Sequence, residues 1–343
     1  MAGHRRGIGP LSLERHSSVT SPAAPRQGVA LGPGPEFDRI RAIARILGAA
    51  GSGLGDDCAL LPIAGGFLAL STDTSVEGTH FRRDWIRDEE VGWRATAAAL
   101  SDLAAEGAEP SGVLCAVTMP GAAEQAELLE VMRGVGAAAQ FAGAPVLGGD
   151  LSSGPAWSLA ITVVGQTPKP VTRAGALPGD RLWVTGALGG SRAALEAWRR
   201  AEQPVAGARQ RYAHPEPRIA AGQWLAGRGA HAMIDLSDGL GGDAGHLAAA
   251  SGLALHIDLA ELPLAAEVAV EADLLGLTAA QFAAEGGEDF ELLVALPAAF
   301  DHAPFEHECG LPLTPIGTVE AGQGVRFVDQ GRTVRLKGFN HFG

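Results

Sequence analysis

Short motifs that carry aspartate recur along this 343-residue chain, several of them where an apolar run ends. There are six of them: Gly55-Asp56-Asp57, Ser71-Thr72-Asp73-Thr74, Ser101-Asp102-Leu103, Gly149-Asp150, Asp235-Leu236-Ser237-Asp238 and Gly286-Gly287-Glu288-Asp289. Carboxylate and hydroxyl oxygens are hard ligands suited to Mg²⁺, which binds one or two protein carboxylates together with substrate phosphates and water. The motifs therefore predict a protein that handles a nucleotide through several divalent cations.

A single aspartate after a strand is most often a turn former or a helix cap, so no one motif is decisive. Repetition of these aspartates beside glycine, serine and threonine favours metal binding. The residues that could supply ligands to several Mg²⁺ ions are Asp57, Ser71, Thr72, Asp73, Asp102, Asp150, Asp235 and Asp238. Gathered in one cleft without a cation, so many carboxylates would raise one another's pKa values.

The common glycine-rich nucleotide motifs are absent or irregular. No Gly-x-x-x-x-Gly-Lys-Ser/Thr sequence occurs, which excludes an ordinary phosphate-binding loop of that type. The glycine run from 239 to 245 has the wrong spacing for a dinucleotide site. The segment from Gly186 to Ser191, ahead of a helix, could present backbone N–H groups to phosphate. It could equally form only a tight strand-to-helix turn, and both interpretations stay open.

The composition excludes several classes of partner. The formal charge of −13 does not suit nucleic acid or an anionic membrane, because phosphate-rich surfaces require a basic footprint. Three widely separated cysteines, Cys58, Cys115 and Cys309, lack metal-ligand spacing and predict reduced thiols in a cytoplasmic protein. No uncharged apolar stretch approaches the ~20 residues of a membrane span. We therefore expect neither nucleic acid nor a membrane as partner.

The elements that must position the motifs begin after a leader. Residues 1–35 mix Arg, Ser, Pro and Gly without hydrophobic periodicity, which predicts disorder. Beyond Glu36, the run from Phe67 to Asp73 predicts a strand, and the Ala- and Leu-rich stretch from Glu89 to Gly107 predicts a helix. Helices and strands alternate, but strands also follow one another directly. This order favours a mixed α+β sheet over a doubly wound one.

A cluster of proline and glycine between residues 166 and 179 marks a domain boundary. The chain then divides into an N-terminal domain, residues 36–168, and a C-terminal domain, residues 169–343. Both are long enough to bury a core of their own. The aspartate motifs fall in both domains, so we expect a site to which both contribute.

Five longer runs resemble the thiamine-monophosphate kinase family. They are Gly55 to Ala59, Ser71 to Phe81, Leu100 to Ala108, Ile234 to Leu240 and Gly286 to Leu293, in the family's order, followed by a closing Lys337-Gly338-Phe339-Asn340-His341-Phe342. The likeness covers the chain from about Phe37 to Phe342. It implies the two-domain PurM-like fold shared with aminoimidazole ribonucleotide synthetase, with an N-terminal α/β domain that dimerises through its sheet and a C-terminal α+β domain.

The resemblance also implies a reaction and a set of roles. The reaction is phosphorylation of thiamine monophosphate by ATP to thiamine diphosphate, in a homodimer that uses several Mg²⁺ ions. The eight candidate ligands above look like magnesium ligands in this family. The residues similar to nucleotide contacts are Gly149, Asp150, Arg173 and Ser237, and those similar to substrate contacts are His80, Glu288 and Phe339. No side chain is expected to act as a covalent nucleophile or a general base.

Two substrate contacts also make sense chemically. Thiamine carries a cationic thiazolium and a flat pyrimidine, so the carboxylate of Glu288 suits the charge and Phe339 can stack on a ring. Taken alone, Phe339 could instead simply pack a terminal segment. His80, taken alone, would more often be a surface-loop histidine.

The sequence departs from the family pattern at two places. Arg94 stands where many members have lysine, and Leu151-Ser152-Ser153 replaces a segment that usually includes arginine. Because arginine binds anions through two parallel donors and serine does not, this change removes a possible phosphate contact.

Two alternatives belong to other classes. One is a sister enzyme of the same fold, such as selenophosphate synthetase or aminoimidazole ribonucleotide synthetase. The first of these would be expected to carry a reactive cysteine or selenocysteine near a lysine in its N-terminal segment, and none precedes Cys58. A non-catalytic maturation or scaffold protein would be favoured by a C-terminal reactive cysteine. This chain ends Asn340-His341-Phe342-Gly343 instead.

Overall fold

The computed structural model describes residues 30–339. Over this range the helices are α1 Pro35–Leu47, α2 Asp88–Ala105, α3 Gln125–Phe141, α4 Gly190–Arg199, α5 Ala206–Ala213, α6 Ile219–Gly227, α7 Leu240–Ser251, α8 Val268–Leu275, α9 Ala279–Ala284 and α10 Ala303–Cys309. The strands are β1 Ala59–Ile63, β2 Gly66–Val76, β3 Glu109–Met119, β4 Val146–Ser153, β5 Ser158–Thr167, β6 Arg181–Thr185, β7 Ala232–Asp235, β8 Ala254–Asp258, β9 Leu292–Leu296, β10 Leu313–Glu320, β11 Gly324–Asp329 and β12 Arg332–Val334.

The predicted leader falls mostly outside these residues. Residues 1–29 lie outside the described range, so their predicted disorder stays a prediction. Residues 30–34 precede α1, which begins at Pro35. None of the helices between residues 30 and 339 is long and apolar enough to cross a membrane.

The first sheet has five strands in the order β1-β2-β5-β3-β4. Helices α2 and α3 cover one of its faces and touch each other closely, because glycines lie at their crossing. A Cβ on Gly92 would come within 1.9 Å of the Val131 carbonyl oxygen, and a Cβ on Gly134 within 1.8 Å of that of Glu89. This close packing fixes α2, the helix that carries Asp102.

Strand β2 divides its polar side chains between the two faces of this sheet. Thr72 is paired with Thr162 of β5, and their hydroxyls are 2.8 Å apart on the face away from α2. Because side chains alternate along a strand, Ser71 and Asp73 point to the opposite face. The Ser71 hydroxyl there donates a hydrogen bond to the carboxylate of Asp102 on α2.

The face of the first sheet away from α2 exposes apolar side chains. Leu61, Ile63 and Leu114 on this face are 54%, 42% and 36% exposed. All eight residues of the edge strand β4 are exposed as well. We refer to this face as the open face of the first sheet.

The second sheet has seven strands in the order β12-β11-β8-β10-β6-β9-β7. Its pairs are antiparallel except for β8 and β11. Strand β7 is fully buried and ends at Asp235, which pairs with Leu292 of β9. Both sheets are therefore mixed or largely antiparallel, as the order of elements predicted.

Several elements differ from those predicted from sequence. Helix α5 was missed because its sequence has no apolar periodicity, although Tyr212 within it is buried. Strand β10 was missed because it contains Pro315, which lies beside an irregularity in its pairing with β6. Strand β4 continues to Ser153, well past the short apolar run with which it begins. Its extension places Gly149 and Asp150 inside a strand.

Candidate active site

Residues from both halves of the chain line one cavity of about 1540 Å³. It contains twelve of the fourteen residues singled out from sequence: Asp57, Ser71, Thr72, Asp73, His80, Asp102, Arg173, Asp235, Ser237, Asp238, Glu288 and Phe339. Motifs separated by more than 200 residues along the chain therefore meet in one place, as the repeated aspartates predicted.

Three carboxylates form the centre of the site. Asp57 just before β1, Asp102 in α2 and Asp235 at the end of β7 have ligand oxygens within 4.8 Å of one another. We refer to these three residues as the central carboxylates. Asp73 of β2 faces them from the first sheet and adds its charge to theirs. The arrangement offers several hard oxygen ligands at a single point.

The central carboxylates repel one another in the absence of a cation. Burial raises the pKa of Asp102 well above its ordinary value, and the charges of Asp73, Asp235 and Asp57 raise it further. Burial, followed by the charge of Asp57, raises the pKa of Asp235 to about 8 and also raises that of Asp73. Nearby divalent cations reverse such shifts, since they stabilise the ionised carboxylates.

The two hydroxyl candidates on β2 are placed differently. Ser71 donates to Asp102 and so orients one of the central carboxylates. Thr72 also lines the cavity, but its hydroxyl bonds to Thr162 on the open face. The side chain of Thr72 therefore points away from the central carboxylates.

Arg173 is the cation nearest to the central carboxylates. Its guanidinium forms an ion pair of 2.5 Å with Asp57 Oδ1, and its backbone N–H donates to Asp56 at 3.0 Å. These two contacts join the segment between the domains to the Gly55-Asp56-Asp57 motif. Arg173 therefore lies where it can compensate part of the negative charge of the site.

The Gly286-Gly287 segment packs directly on the Asp235-to-Asp238 motif. The Glu288 N–H donates to the Ser237 carbonyl at 2.7 Å. A Cβ on Gly287 would lie only 2.7 Å from that same carbonyl oxygen. Glu288 itself has a φ of 65°, in the left-handed region that non-glycine residues seldom adopt. The close packing holds Glu288 at the cavity wall in this conformation.

Glu288 forms an ion pair with Arg94 at this wall. The Arg94 side chain is buried, donates to the Tyr212 carbonyl at 2.6 Å and lies 3.8 Å from the centre of the Tyr212 ring. The Tyr212 hydroxyl donates to the His80 carbonyl at 3.2 Å, and His80 Nδ1 accepts from the Val76 N–H at 3.0 Å. The candidate substrate residues His80 and Glu288 are thus linked through Arg94 and Tyr212.

Phe339 is the last described residue and lies at the edge of the cavity. Its N–H donates to the Asp238 carbonyl at 2.9 Å, and half of its side chain is exposed. The exposed part of the ring borders the cavity. The rest of the closing motif, Asn340-His341-Phe342, lies outside the described residues.

Gly149 and Asp150 do not line the cavity. They lie on the edge strand β4, where Asp150 is in register with Ala116 of β3, Ala160 of β5 and Thr74 of β2. Three strand spacings separate β4 from β2, roughly 14 Å. Within one chain these two residues are not brought to the central carboxylates.

Backbone N–H groups at the start of α4 bind a carboxylate of the protein itself. Gly189 donates to Asp289 at 2.7 Å and Ser191 donates to it at 3.4 Å. Burial raises the pKa of Asp289 to about 7, and these two donors partly offset the increase. Of the two interpretations left open, the structure favours the strand-to-helix turn.

Three residues in or beside the site were not singled out from sequence. Asp56 and Glu106 lie inside motifs that were quoted, but nothing in their spacing distinguished them from turn or helix-end residues. Their carboxylates lie within 4.8 Å of that of Asp57. Tyr212 belongs to α5, which was not predicted. Only the buried position of that helix beside α2 makes Tyr212 part of the wall.

Two family models match the chain. The model for the N-terminal domain of AIR synthase related proteins matches residues 55–167, and the model for their C-terminal domain matches residues 178–330. Together they cover more than half of the chain. The two-domain mixed fold predicted from sequence is thereby confirmed.

Named relatives are similar over most of their length. Thiamine-monophosphate kinase of Escherichia coli K12 is 39% identical over 84% of this chain and 91% of the relative. That of Aquifex aeolicus is 36% identical over 84% of this chain and 92% of the relative. The resemblance inferred from the motifs is confirmed.

Solved structures agree in fold. A structure of AaThiL complexed with AMPPCP and TMP matches with a TM-score of 0.81 and 34% identity, over 90% of this chain and 97% of that one. A hydrogenase maturation protein, HypE, matches with a TM-score of 0.70 at 19% identity, over 84% of this chain and 93% of that one. The second likeness concerns the fold alone.

Proposed function

The chain belongs to the thiamine-monophosphate kinase family of AIR synthase related proteins, and on this premise we propose that it phosphorylates thiamine monophosphate with ATP. The products are ADP and thiamine diphosphate, so the enzyme is a phosphotransferase with a phosphate group as acceptor. The convergence of Asp57, Asp102 and Asp235 at one cavity carries the proposal. The relative's complex with AMPPCP and TMP supports both substrates.

The donor set fits magnesium. Every candidate ligand in the cavity offers oxygen, and Asp57 Oδ2 is buried without a hydrogen-bond partner among residues 30–339. We assign several Mg²⁺ ions to the central carboxylates, with Ser71, Asp73 and Asp238 as further ligands. Thr72, whose hydroxyl bonds to Thr162 on the open face, could contribute only its backbone carbonyl. When bound, Mg²⁺ neutralises the phosphates of ATP and of the acceptor, so that the two anions can be aligned for in-line transfer.

The side chains position the reacting groups and compensate their charge. A phosphate monoester has a second pKa of about 6, so the acceptor oxygen is already a competent nucleophile at neutral pH. No general base and no phosphoenzyme are required. Ser71 holds Asp102 in place, and we assign Arg173 and Ser237 to ATP, since both line the cavity beside the central carboxylates.

We assign His80, Glu288 and Phe339 to thiamine monophosphate. The ion pair with Arg94 orients the carboxylate of Glu288. A thiazolium cation that approaches Glu288 would share this carboxylate with Arg94. The half-exposed ring of Phe339 can stack on a flat ring of the substrate. Arg94, which replaces the usual lysine, thus acts on the substrate through Glu288.

A coupled assay of ADP release tests the proposed reaction. We expect Mg²⁺-dependent ADP formation with thiamine monophosphate, and background rates with free thiamine, without acceptor, or with excess EDTA. The control without acceptor measures ATP hydrolysis that does not depend on thiamine monophosphate, which is the result expected if this protein had the activity of another member of the fold. ADP formation that is indifferent to thiamine monophosphate would remove the substrate assignment and leave the fold unaffected.

We also propose a homodimer that forms through the open face of the first sheet. Leu61, Ile63 and Leu114 expose apolar surface there, and burial of such surface stabilises association. Gly149 and Asp150 would then lie at the interface, and their proposed contacts with ATP and magnesium depend on it.

Sedimentation velocity is expected to give twice the chain mass, falling to the chain mass in a Leu61→Glu, Leu114→Glu variant. A wild-type monomer at micromolar concentration would contradict the proposal.

Two further assignments follow from the sequence. β5 ends at Thr167 and β6 begins at Arg181, which supports the proposed domain boundary between residues 168 and 169. The three cysteines are free, in accord with the reducing cytoplasm in which we place the enzyme.

A further inference from the structure

Glu106 is a buried carboxylate for which the proposed phosphate transfer has no use. It directly follows α2, its side chain is completely inaccessible to solvent, and it does not line the cavity. Neither of its carboxylate oxygens has a hydrogen-bond partner among the described residues. A buried carboxylate without donors is strongly disfavoured unless a cation or a proton compensates its charge. The ionised form of Glu106 therefore requires a positive group beside it.

Two aspartates meet Glu106 at this point. Asp56, Asp57 and Glu106 each place a carboxylate oxygen within 4.8 Å of the other two. Asp57 Oδ1 is paired with Arg173, but Asp57 Oδ2 is buried without a hydrogen-bond partner in the described part of the chain. Unpaired oxygens of two different residues are thus buried in the same small space.

The charges around this space are unbalanced. If all three carboxylates are ionised, the one guanidinium paired with them among the described residues is that of Arg173, which would leave two negative charges uncompensated. One divalent cation would balance the remaining charge.

We propose that Glu106, Asp56 and Asp57 bind a structural divalent cation behind the central carboxylates. Only oxygen is available, so the site suits a hard ion such as Mg²⁺ or Mn²⁺. Asp57 belongs both to this site and to the magnesium ligands of the proposed kinase. The inference therefore rests on the proposed function at this one residue. Because all three ligands belong to the protein, the ion binds before any nucleotide. It holds Asp57 in place between Glu106 and Arg173.

Manganese binding to the full-length, nucleotide-free protein tests the inference. Bound Mn²⁺ is counted from the electron paramagnetic resonance signal of the free ion, in the wild type, in Glu106→Gln and in Glu109→Gln. Glu109 is an exposed glutamate three residues away and serves as the matched control. We expect Glu106→Gln to lose one Mn²⁺ per chain or bind it about tenfold more weakly, with Glu109→Gln unchanged. Equal counts in all three proteins would overturn the proposal.

Diffraction from the wild type avoids dependence on the folding of a variant. Crystals soaked in MnCl₂ are expected to give an anomalous peak between Glu106, Asp56 and Asp57 at the manganese edge. Peaks confined to Asp57, Asp102 and Asp235 would refute the site, since Glu106 would then be compensated by a proton. The ADP-release assay separates this result from the kinase proposal. If the protein is inactive but the crystals show the peak, the cation site stands and the kinase proposal fails. If the protein is active but the crystals lack the peak, the kinase proposal stands and the cation site fails.

Discussion

The Asp102→Asn variant is expected to lose at least two orders of magnitude in kcat for ADP formation with thiamine monophosphate. The carboxylate of Asp102 lies close to the charges of Asp57, Asp73 and Asp235, and a hydrogen bond from the Ser71 hydroxyl orients it. Asparagine preserves the shape but removes a charge that cations require. Loss of one electrostatic stabiliser of a transition state costs about 3 kcal/mol. Steady-state kinetics over a range of Mg²⁺ concentrations measures the effect.

A melting curve in EDTA shows whether the Asp102→Asn protein is folded. Burial and like charges raise the pKa of Asp102, so its ionised form opposes folding of the metal-free protein at neutral pH. Asparagine removes that opposition, and we expect a melting temperature at least equal to that of the wild type. Asp273→Asn, at an exposed position on α8, is the control and should keep full activity. Wild-type kcat in Asp102→Asn would refute the magnesium assignment of this residue.

Replacing Glu291 with Gln is expected to lower the free energy of unfolding by about 3 kcal/mol, because one partner of a buried ion pair is removed. Glu291 is completely buried and accepts from Arg218 Nε at 2.8 Å and from the other side of the same guanidinium at 2.7 Å. The Thr185 hydroxyl donates to it at 2.8 Å, and Arg211 donates at 3.3 Å. Urea unfolding at pH 7 measures the change.

The control for Glu291 is a pair on the surface. Glu130 pairs with Arg133, and both side chains are about half exposed, so Glu130→Gln should change stability by less than about 1 kcal/mol. Equal losses of unfolding free energy in the two variants would show that the buried ion pairs of Glu291 stabilise the fold no more than a surface pair does. A large loss for Glu291 alone gives this residue of the Gly286-to-Leu293 run a structural role.

Most residues of the site could be identified from the sequence alone. Asp57, Asp73, Asp102 and Asp235 were recognised because each stands in a short motif with glycine, serine or threonine near the end of an element. Twelve of the fourteen candidates line the cavity. Local patterns succeed here because strand ends and helix ends are encoded by neighbouring residues.

Contacts that depend on strand register were beyond the sequence. The Thr72 hydroxyl bonds to Thr162 of β5, and only the pairing of β2 with β5 shows that it faces away from Asp73. Likewise, Gly149 and Asp150 could be placed after an apolar run. Their distance from β2 depends on the order of strands in the sheet. Strand order is a long-range property that motifs do not contain.

The wall around Glu288 shows a second limit. Its partner Arg94 lies in a predicted helix, but the ring beneath Arg94 belongs to α5, whose residues have no helical apolar periodicity. Tertiary packing, and not local pattern, forms that helix. Glu106 was overlooked for a related reason, since a glutamate at the end of a helix gives no sign that it will be buried.

The position of Tyr212 gives the protein a built-in spectroscopic reporter. The chain contains a single tyrosine, and it contacts Arg94 and His80 at the proposed acceptor wall. Burial raises the pKa of its phenol to about 12, so it stays neutral under ordinary conditions. Isotope-labelled tyrosine would therefore give one ring signal in nuclear magnetic resonance, unobscured by others of its type. Titration with each ligand would then follow occupancy of that wall without any engineered label.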